Sequence, residues 1–574
     1  MNATFSARAL IRKSIGHDCI ASHQSTPFIR HTRSTCSAMA CALLLAACGG
    51  GEDAPVAAPD TPPTTQSPPA TSVQLADQPY TGSDTFALDA TGTANDLTEI
   101  TAVTHHTMTI NGVTLQYTAT VGNLLIRESG SNKPLAKISY VAFSKDEAPA
   151  LQRPITFLFG DGIGGSSANL MLNAFGPRKL ASPTDTALAD NEATLLAQSD
   201  LVFVNPVGTG YSMAFSGKTN ADFWNWDQGA SADAKFIFRY LDVNNRVASP
   251  KFLLGDGNGA MRAALVNFSL KDLHGIAVNG VGLISPQWNS DVSAHRTVSA
   301  DQRYIFPAGQ ALLPTIAMTA RRHGKSAGRE VVKSEAVFRQ DLRTFSEGQY
   351  AKFWSLSRDT KLAADASAAW SQLSTRVANY TGGTVPQTAQ DFLDTFGTAA
   401  LISKNLLGNA NQLLGMRNTR TVLAAGQAEA AVTVSKDAVN NYLRKELQFN
   451  VGSDFVVDNS DMARASWVDT VTRPDLPFKP TKTDTSGYHL LAGILLNHDL
   501  KVITIDGYYD AVSPFYTTSL MFDAFQLEPD ERRGVQQHVM EAGHSPHLDP
   551  TLRTEVVGKL GAFYSSTLKA MGLL

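Results

Sequence analysis

The chain has 574 residues, 43% hydrophobic and 17% charged, with 48 basic against 52 acidic side chains and a formal net charge of −4. That length supports one large core plus an added domain or long insertion. The absence of long Lys/Arg runs argues against nucleic acid as a partner. The four cysteines are Cys19, Cys36, Cys41 and Cys48, so everything beyond residue 48 folds without a disulfide.

Residues 1–47 read as an export signal with a long leading region. Arg30 and Arg33 precede an apolar run, Ala38 to Ala47, too short to span a bilayer. The run ends Leu45-Ala46-Ala47-Cys48, which resembles the lipobox of bacterial lipoproteins. The resemblance implies that Cys48 is acylated and becomes the first mature residue. Gly rather than Asp follows Cys48, which by similarity to known sorting signals implies the outer membrane of a Gram-negative cell. Residues 48–72 are Gly-rich and then Pro/Thr/Ser/Ala-rich, the composition of a partly extended tether. Membrane contact is thus expected through the lipid anchor only.

Next comes a β meander over residues 102–147, with alternating apolar and polar residues and Asn111-Gly112 as a hairpin turn. Apolar strands follow in "PITFLFGDGIGG" (154–165), "DLVFVNPVGTGYS" (200–212), "KFLLGDGNG" (251–259) and "VNGVGLISP" (278–286), with helical stretches between them. From 292 to 480 the pattern is amphipathic helix, read as an inserted cap. Strands return in "LKVITIDGYYD" (500–510) and "QHVMEAGH" (537–544), before a terminal helix. The expected class is α/β: a central, mostly parallel sheet with N-terminal antiparallel strands, its core built from 73–291 and 481–574 around a helical cap.

In open α/β sheets, chemistry collects at the carboxyl ends of strands. Three strand ends here carry distinct equipment: the glycine-rich elbow at Gly257, then Asp510, then His544. Elbow, acid, histidine is the chain order of an α/β-hydrolase triad. A carboxylate behind the histidine would fix its tautomer and leave it to act as a general base. The three positions are expected to converge, with the Gly257 Cα within about 8 Å of the His544 ring. Two other readings compete. His544, His547 and Asp549 lie close in sequence, as metal ligands can. "GDGIGG" and "GDGNG" weakly mimic a dinucleotide fingerprint.

The segments 153–180, 200–212, 249–266, 312–325, 506–515 and 541–553 together resemble the bacterial branch of the serine carboxypeptidases, across roughly 102–574. The resemblance implies an α/β-hydrolase fold, hydrolysis of C-terminal peptide bonds, a peptide or small ester ligand in a cleft under the cap, and no cofactor. The acid and base fall on Asp510 and His544. The nucleophile of the family's Gly-Glu-Ser-Tyr-Gly elbow falls on Gly257, the preceding glutamate on Asp256, and the oxyanion-hole residue after it on Asn258. The family's Asn-Gly-Gly-Pro-Gly loop becomes Gly160-Asp161-Gly162-Ile163-Gly164. Its carboxylate-gripping asparagine is therefore Gly160, its second oxyanion N–H belongs to Gly162, and Asp161 adds a carboxylate where an anion should sit.

Glycine at 257 relieves the strain of an elbow and leaves no atom to attack a carbonyl. The expected protein is a carboxypeptidase-like lipoprotein with lost or strongly impaired activity. Two alternatives keep a hydrolase: another serine, such as Ser166 or Ser167, or water activated directly by His544–Asp510. On this reading, Gly257→Ser alone should rebuild a reactive serine.

Overall fold

The computed structural model describes residues 76–574 except 289–307, 467–485 and short stretches at 147, 150, 183–185, 358–359, 384, 389–390, 392–398, 409–410 and 430–431. Cys48, the signal and the tether lie outside the described residues.

The chain opens the main sheet with a meander of three long strands: β1 (Thr101–Ile110), β2 (Val113–Arg127) and β3 (Pro134–Lys145). Asn111 and Gly112 take φ of 50° and 78° between paired Ile110 and Val113. That is the left-handed pair a two-residue hairpin needs, and Asn-Gly supplies it with little strain. Six shorter strands follow: β4 (Ile155–Phe159), β5 (Asp200–Val204), β6 (Lys251–Asp256), β7 (Gly280–Ile284), β8 (Lys501–Gly507) and β9 (Val535–Met540).

Their spatial order is β9-β8-β7-β6-β4-β5-β3-β2-β1, with Met213–Ala214 as a tenth short strand on β3. Pairing is parallel from β9 through β5 and antiparallel from β5 to β1. The order inverts once, where β5 sits between β3 and β4. This is the α/β-hydrolase architecture, a mostly parallel sheet flanked by helices with antiparallel strands at its start.

Central strands are buried on both faces, and their sequences show it. Every residue of β4, β5, β6 and β7 is buried, as near-continuous apolar runs in parallel sheets require. Alternate side chains still serve different faces. Phe252 and Leu254 join a cluster with Val556, Leu560, Phe563 and Tyr564 of the last helix, α4 (Arg553–Ala570). Phe252 meets the Tyr564 ring edge-on at 4.4 Å between centroids. Each such side chain contributes roughly 1.5–3 kcal/mol by leaving water. On other elements of the core, α2 (Asn258–His274) packs between α1 (Trp226–Val243) and α3 (Ser486–Leu496).

Between β7 and β8 the described residues are mainly helical, including Ala308–Arg322, Glu335–Phe345 and Ala363–Thr381. These pack on a core of their own, in which Phe338, Phe345, Tyr350, Trp370 and Tyr380 are buried. Tyr509, from the end of β8, belongs to the same cluster. Within the stretch read as cap, residues such as Val434, Tyr442, Phe449 and Phe455 instead join the cluster beneath the meander. Phe449–Asn450 also pairs with Tyr80–Thr81. The latter part of that stretch therefore belongs to the body.

Candidate active site

β6 runs into a turn at Gly257, and α2 starts at the next residue. Gly257 holds φ 56° and ψ −116°, a conformation that only glycine adopts without strain. It is the backbone shape of an elbow that thrusts a side chain toward solvent. No side chain is there, and none would fit. A Cβ on Gly257 would overlap Oδ1 and Cγ of Asp161, with Oδ2 at 3.1 Å. The Asp161 carboxylate occupies the space of the missing group.

That carboxylate is held on several sides. Asp161 accepts at Oδ1 from the backbone N–H of Gly162 at 2.7 Å and of Asn258 at 2.9 Å. These are the two donors assigned by resemblance to an oxyanion hole. The Asn258 N–H also opens α2, so the carboxylate caps a helix N-terminus, where negative charge is favoured. At Oδ2, Asp161 accepts from the Arg417 guanidinium at 2.9 Å, and His544 Nε2 stands 3.5 Å away. The second distance is that of an ion pair and long for a hydrogen bond. The Asp161 side chain is 15% exposed.

The opposite side is built by β8 and β9. Asp510 accepts from the N–H groups of Val512 and Ser513 at 2.8 and 2.9 Å through one oxygen. Its other oxygen accepts from His544 Nδ1 at 2.8 Å. Both side chains are buried. This leaves Nε2 facing Asp161, the orientation a general base needs. The structure thus brings Gly257, Asp161, Gly162, Asn258, Asp510 and His544 to one edge of the sheet.

Charge coupling dominates. Burial opposes ionisation of His544, but the Asp510 charge, the contact with Asp161 and the bond to Asp510 outweigh it and hold the imidazole well above its ordinary value. Burial likewise opposes ionisation of Asp161. Contact with the His544 cation, the Arg417 charge and the Asn258 N–H overcome it, and the carboxyl lies far below the usual carboxylate range. Asp510, His544, Asp161 and Arg417 thus stand in one row, each within ion-pair distance of the next.

Other positions singled out in the sequence lie elsewhere. Asp256 is buried, with Oδ2 at 3.2 Å from Nε2 of the buried His547. A Cβ on Gly160 would run into the Ser166 carbonyl oxygen, so the family's asparagine has no room there. Ser167 is buried with its Oγ between the carbonyl oxygens of Leu158 and Val204, and Ser166 Oγ accepts from the Ala168 N–H. The Ser167 hydroxyl thus ties the ends of β4 and β5 together, and the Ser166 hydroxyl serves the local turn. The proposed metal group disperses, with His544 on Asp510, His547 on Asp256 and Asp549 beside Arg420. Among the described residues no group of three His, Cys, Asp or Glu could hold a metal.

Arg417 is the residue that sequence reasoning missed. Its loop is stitched to both late strand ends. The Arg417 carbonyl accepts from the His544 N–H at 2.6 Å, the Met416 carbonyl from Ala511 at 2.9 Å, and the Thr419 N–H donates to Tyr509 at 2.9 Å. "GMRNTR" matches no motif, and only the fold brings it to the site.

Neither a protein-family model nor a curated protein matches the sequence. Among solved structures, a proline iminopeptidase of Mycobacterium smegmatis is 12% identical, over 78% of this chain and 99% of that one, at a TM-score of 0.32. A peroxisomal α/β-hydrolase of Saccharomyces cerevisiae is 10% identical over 83% and 91%, at 0.31. A carboxyl esterase of Bacillus coagulans is 13% identical over 78% and 98%, at 0.29. The strand order described above carries the fold, and these likenesses add no activity to it.

Proposed function

We propose that this α/β-hydrolase-fold protein is a serine-carboxypeptidase-like lipoprotein in which acyl transfer through residue 257 has been lost. One observation carries the reading: the Asp161 carboxylate fills the space of an attacking side chain at 257 and already takes the N–H groups of Gly162 and Asn258. A peptide or ester carbonyl finds neither a nucleophile nor a vacant oxyanion site. Peptides and small esters remain the ligand class, by resemblance and without a carried-over grip on a peptide terminus. Export and anchoring through Cys48 belong to the same proposal; Cys48→Ala should release the body from membranes and abolish lipid labelling, and a body still membrane-bound without lipid would overturn it.

The site also changes the expectation for Gly257→Ser. Alone, the serine meets Asp161. The family has glycine at both 161 and 162, so Asp161→Gly with Gly257→Ser restores its pattern. A serine-reactive fluorophosphonate should leave the natural protein and Gly257→Ser unlabelled. It should label the double variant, and labelling should vanish when His544→Gln is added. Labelling of the natural protein at any serine in a His544-dependent way would overturn the proposal.

A second reading, a working hydrolase with a different nucleophile, is favoured by the intact Asp510–His544 pair.

A further inference from the structure

We infer that a cavity lined by one face of α1 and by the turn at Lys218 binds the phosphate group of a small soluble ester, through Lys235 and Lys218. None of Asp161, Arg417, Asp510 or His544 lines it, so the inference stands apart from the reading of residue 257.

α1 presents Gln228, Ser231 and Lys235 to the cavity at intervals of three and four residues, which puts them on one helix face. Lys218 joins them from the turn after the short strand Met213–Ala214, where Gly217 takes φ 99°. Leu135 and Phe223 add apolar wall. The cavity measures about 250 Å³, less than the roughly 300–1,000 Å³ of sites for drug-sized ligands. It has room for a phosphate group with a short substituent.

The charges around it do not balance. Lys235 Nζ donates to the Ser231 Oγ at 3.0 Å, and serine is neutral. Neither Lys235 nor Lys218 has an ion-pair partner among the described residues. Lys235 is half-buried. Burial pushes its ammonium below the ordinary value, and the Glu128 charge offsets that only in part. The cavity's one carboxylate, Asp222, is engaged elsewhere: its Oδ2 accepts from the N–H and the hydroxyl of Thr219 at 2.7 and 3.1 Å. Charges drawn out of water are ordinarily paired. A lysine with no ligand to meet carries its ammonium out to solvent along its apolar stem. Here the ammonium turns back to Ser231, which lines the same cavity as the second lysine.

Chemistry selects the anion. A guanidinium fork matches a planar carboxylate, whereas an ammonium is a point charge with three donors and suits a tetrahedral phosphate. Two ammonium groups match the charge of about −2 that a phosphate monoester carries at neutral pH. A carboxylate or a diester offers one. The Ser231 hydroxyl and the Gln228 amide supply further donors to the ester's oxygens.

The test applies two probes to the purified full-length chain. Inorganic phosphate, followed by calorimetry against chloride at equal ionic strength, should bind at a single site. Pyridoxal 5′-phosphate carries the same group on an aldehyde. The neutral Lys235 amine adds to that carbonyl, water leaves, and borohydride delivers hydride to the imine, so a stable secondary amine marks the Lys235 peptide. Inorganic phosphate should suppress this label and acetate should not. Lys218→Ala, at an exposed position, should weaken phosphate binding by about tenfold or more, the scale of losing a hydrogen bond to a charged group. It should cut the Lys235 label in parallel. Phosphate binding unchanged in Lys218→Ala would overturn the proposal. So would a Lys235 label no greater than that of the other lysines, or protection by acetate equal to that by phosphate. Phosphatidate vesicles separate a free ester from a lipid headgroup: a chain that binds them through Lys218, while inorganic phosphate gives no heat, overturns the soluble ligand as well.

Discussion

The two sides of the site had different fates. On the late side, β8 and β9 present Asp510 and His544 in the arrangement of a working triad. On the early side, β4 and β6 end in loops that place glycine at 160 and 257 and fill the elbow with the Asp161 carboxylate. The two sides face each other across 3.5 Å. The contrast has a physical reason. Asp510 and His544 are fully buried, and removing either leaves the other uncompensated. The early side needs only something to fill the elbow and satisfy two N–H groups, and Asp161 does both. Orientation machinery resists loss because it is also structure, whereas the reacting atom is replaceable.

The largest test of that contrast is Asp510→Ala. It leaves the His544 ring without its inner partner and should cost about 3–5 kcal/mol, the scale for breaking a buried pair, read as a lower midpoint in denaturant at unchanged slope. A cost under about 1 kcal/mol would show that the late side is no more structural than the early one.

Gly257→Ser should come next. Its backbone strain is of order 1–3 kcal/mol, and displacement of Asp161 adds to it. In the Asp161→Gly background only the strain should remain, so a double-mutant cycle should give a coupling clearly different from zero. Additivity would mean that the two positions do not share space.

A third test uses pH. His544 is raised above 6.5, so its contribution to stability is complete below that value and is lost as pH rises through the folded-state value. Asp161 is lowered below 3.8, so its contribution is complete above that value and lost as pH falls through the folded-state value. Both describe one interaction and are not to be added. Asp161→Asn should bring the His544 titration, followed by ring-proton NMR, down toward its ordinary value, and should shrink the loss of stability on going to alkaline pH. A His544 titration unmoved by Asp161→Asn would confine the coupling to Asp510. The smallest effect is expected from Arg417→Ala, about 1 kcal/mol or less, because that guanidinium is 40% exposed and screened.

Much of this was legible in the sequence. Alternation and Asn111-Gly112 marked the meander, and apolar runs ending in glycine marked β4 and β6. Chain order alone paired Gly257 with Asp510 and His544. What stayed hidden depended on three-dimensional closeness. That Asp161 lies inside the elbow follows from two loops 97 residues apart, and Arg417 arrives from 256 residues beyond Asp161. Asp256, which the resemblance aligns with the glutamate that helps recognise a substrate's terminal carboxylate, is likewise buried against His547. No local pattern encodes such meetings. The stretch read as cap blurred for a related reason: a helix on the body and a helix on the cap have the same period, and only packing separates Tyr442 from Tyr380.

The loop at 415–420 closes the matter of what an insertion is. Its backbone accepts the His544 N–H and pairs with residues on both sides of Asp510, so it is an extension of the active-site floor that happens to be encoded between β7 and β8. Anyone exchanging this cap for a relative's, or trimming it away, must carry residues 415–420 along with the body. A chimera joined without them would keep every triad position in its sequence and still lose the histidine's seat.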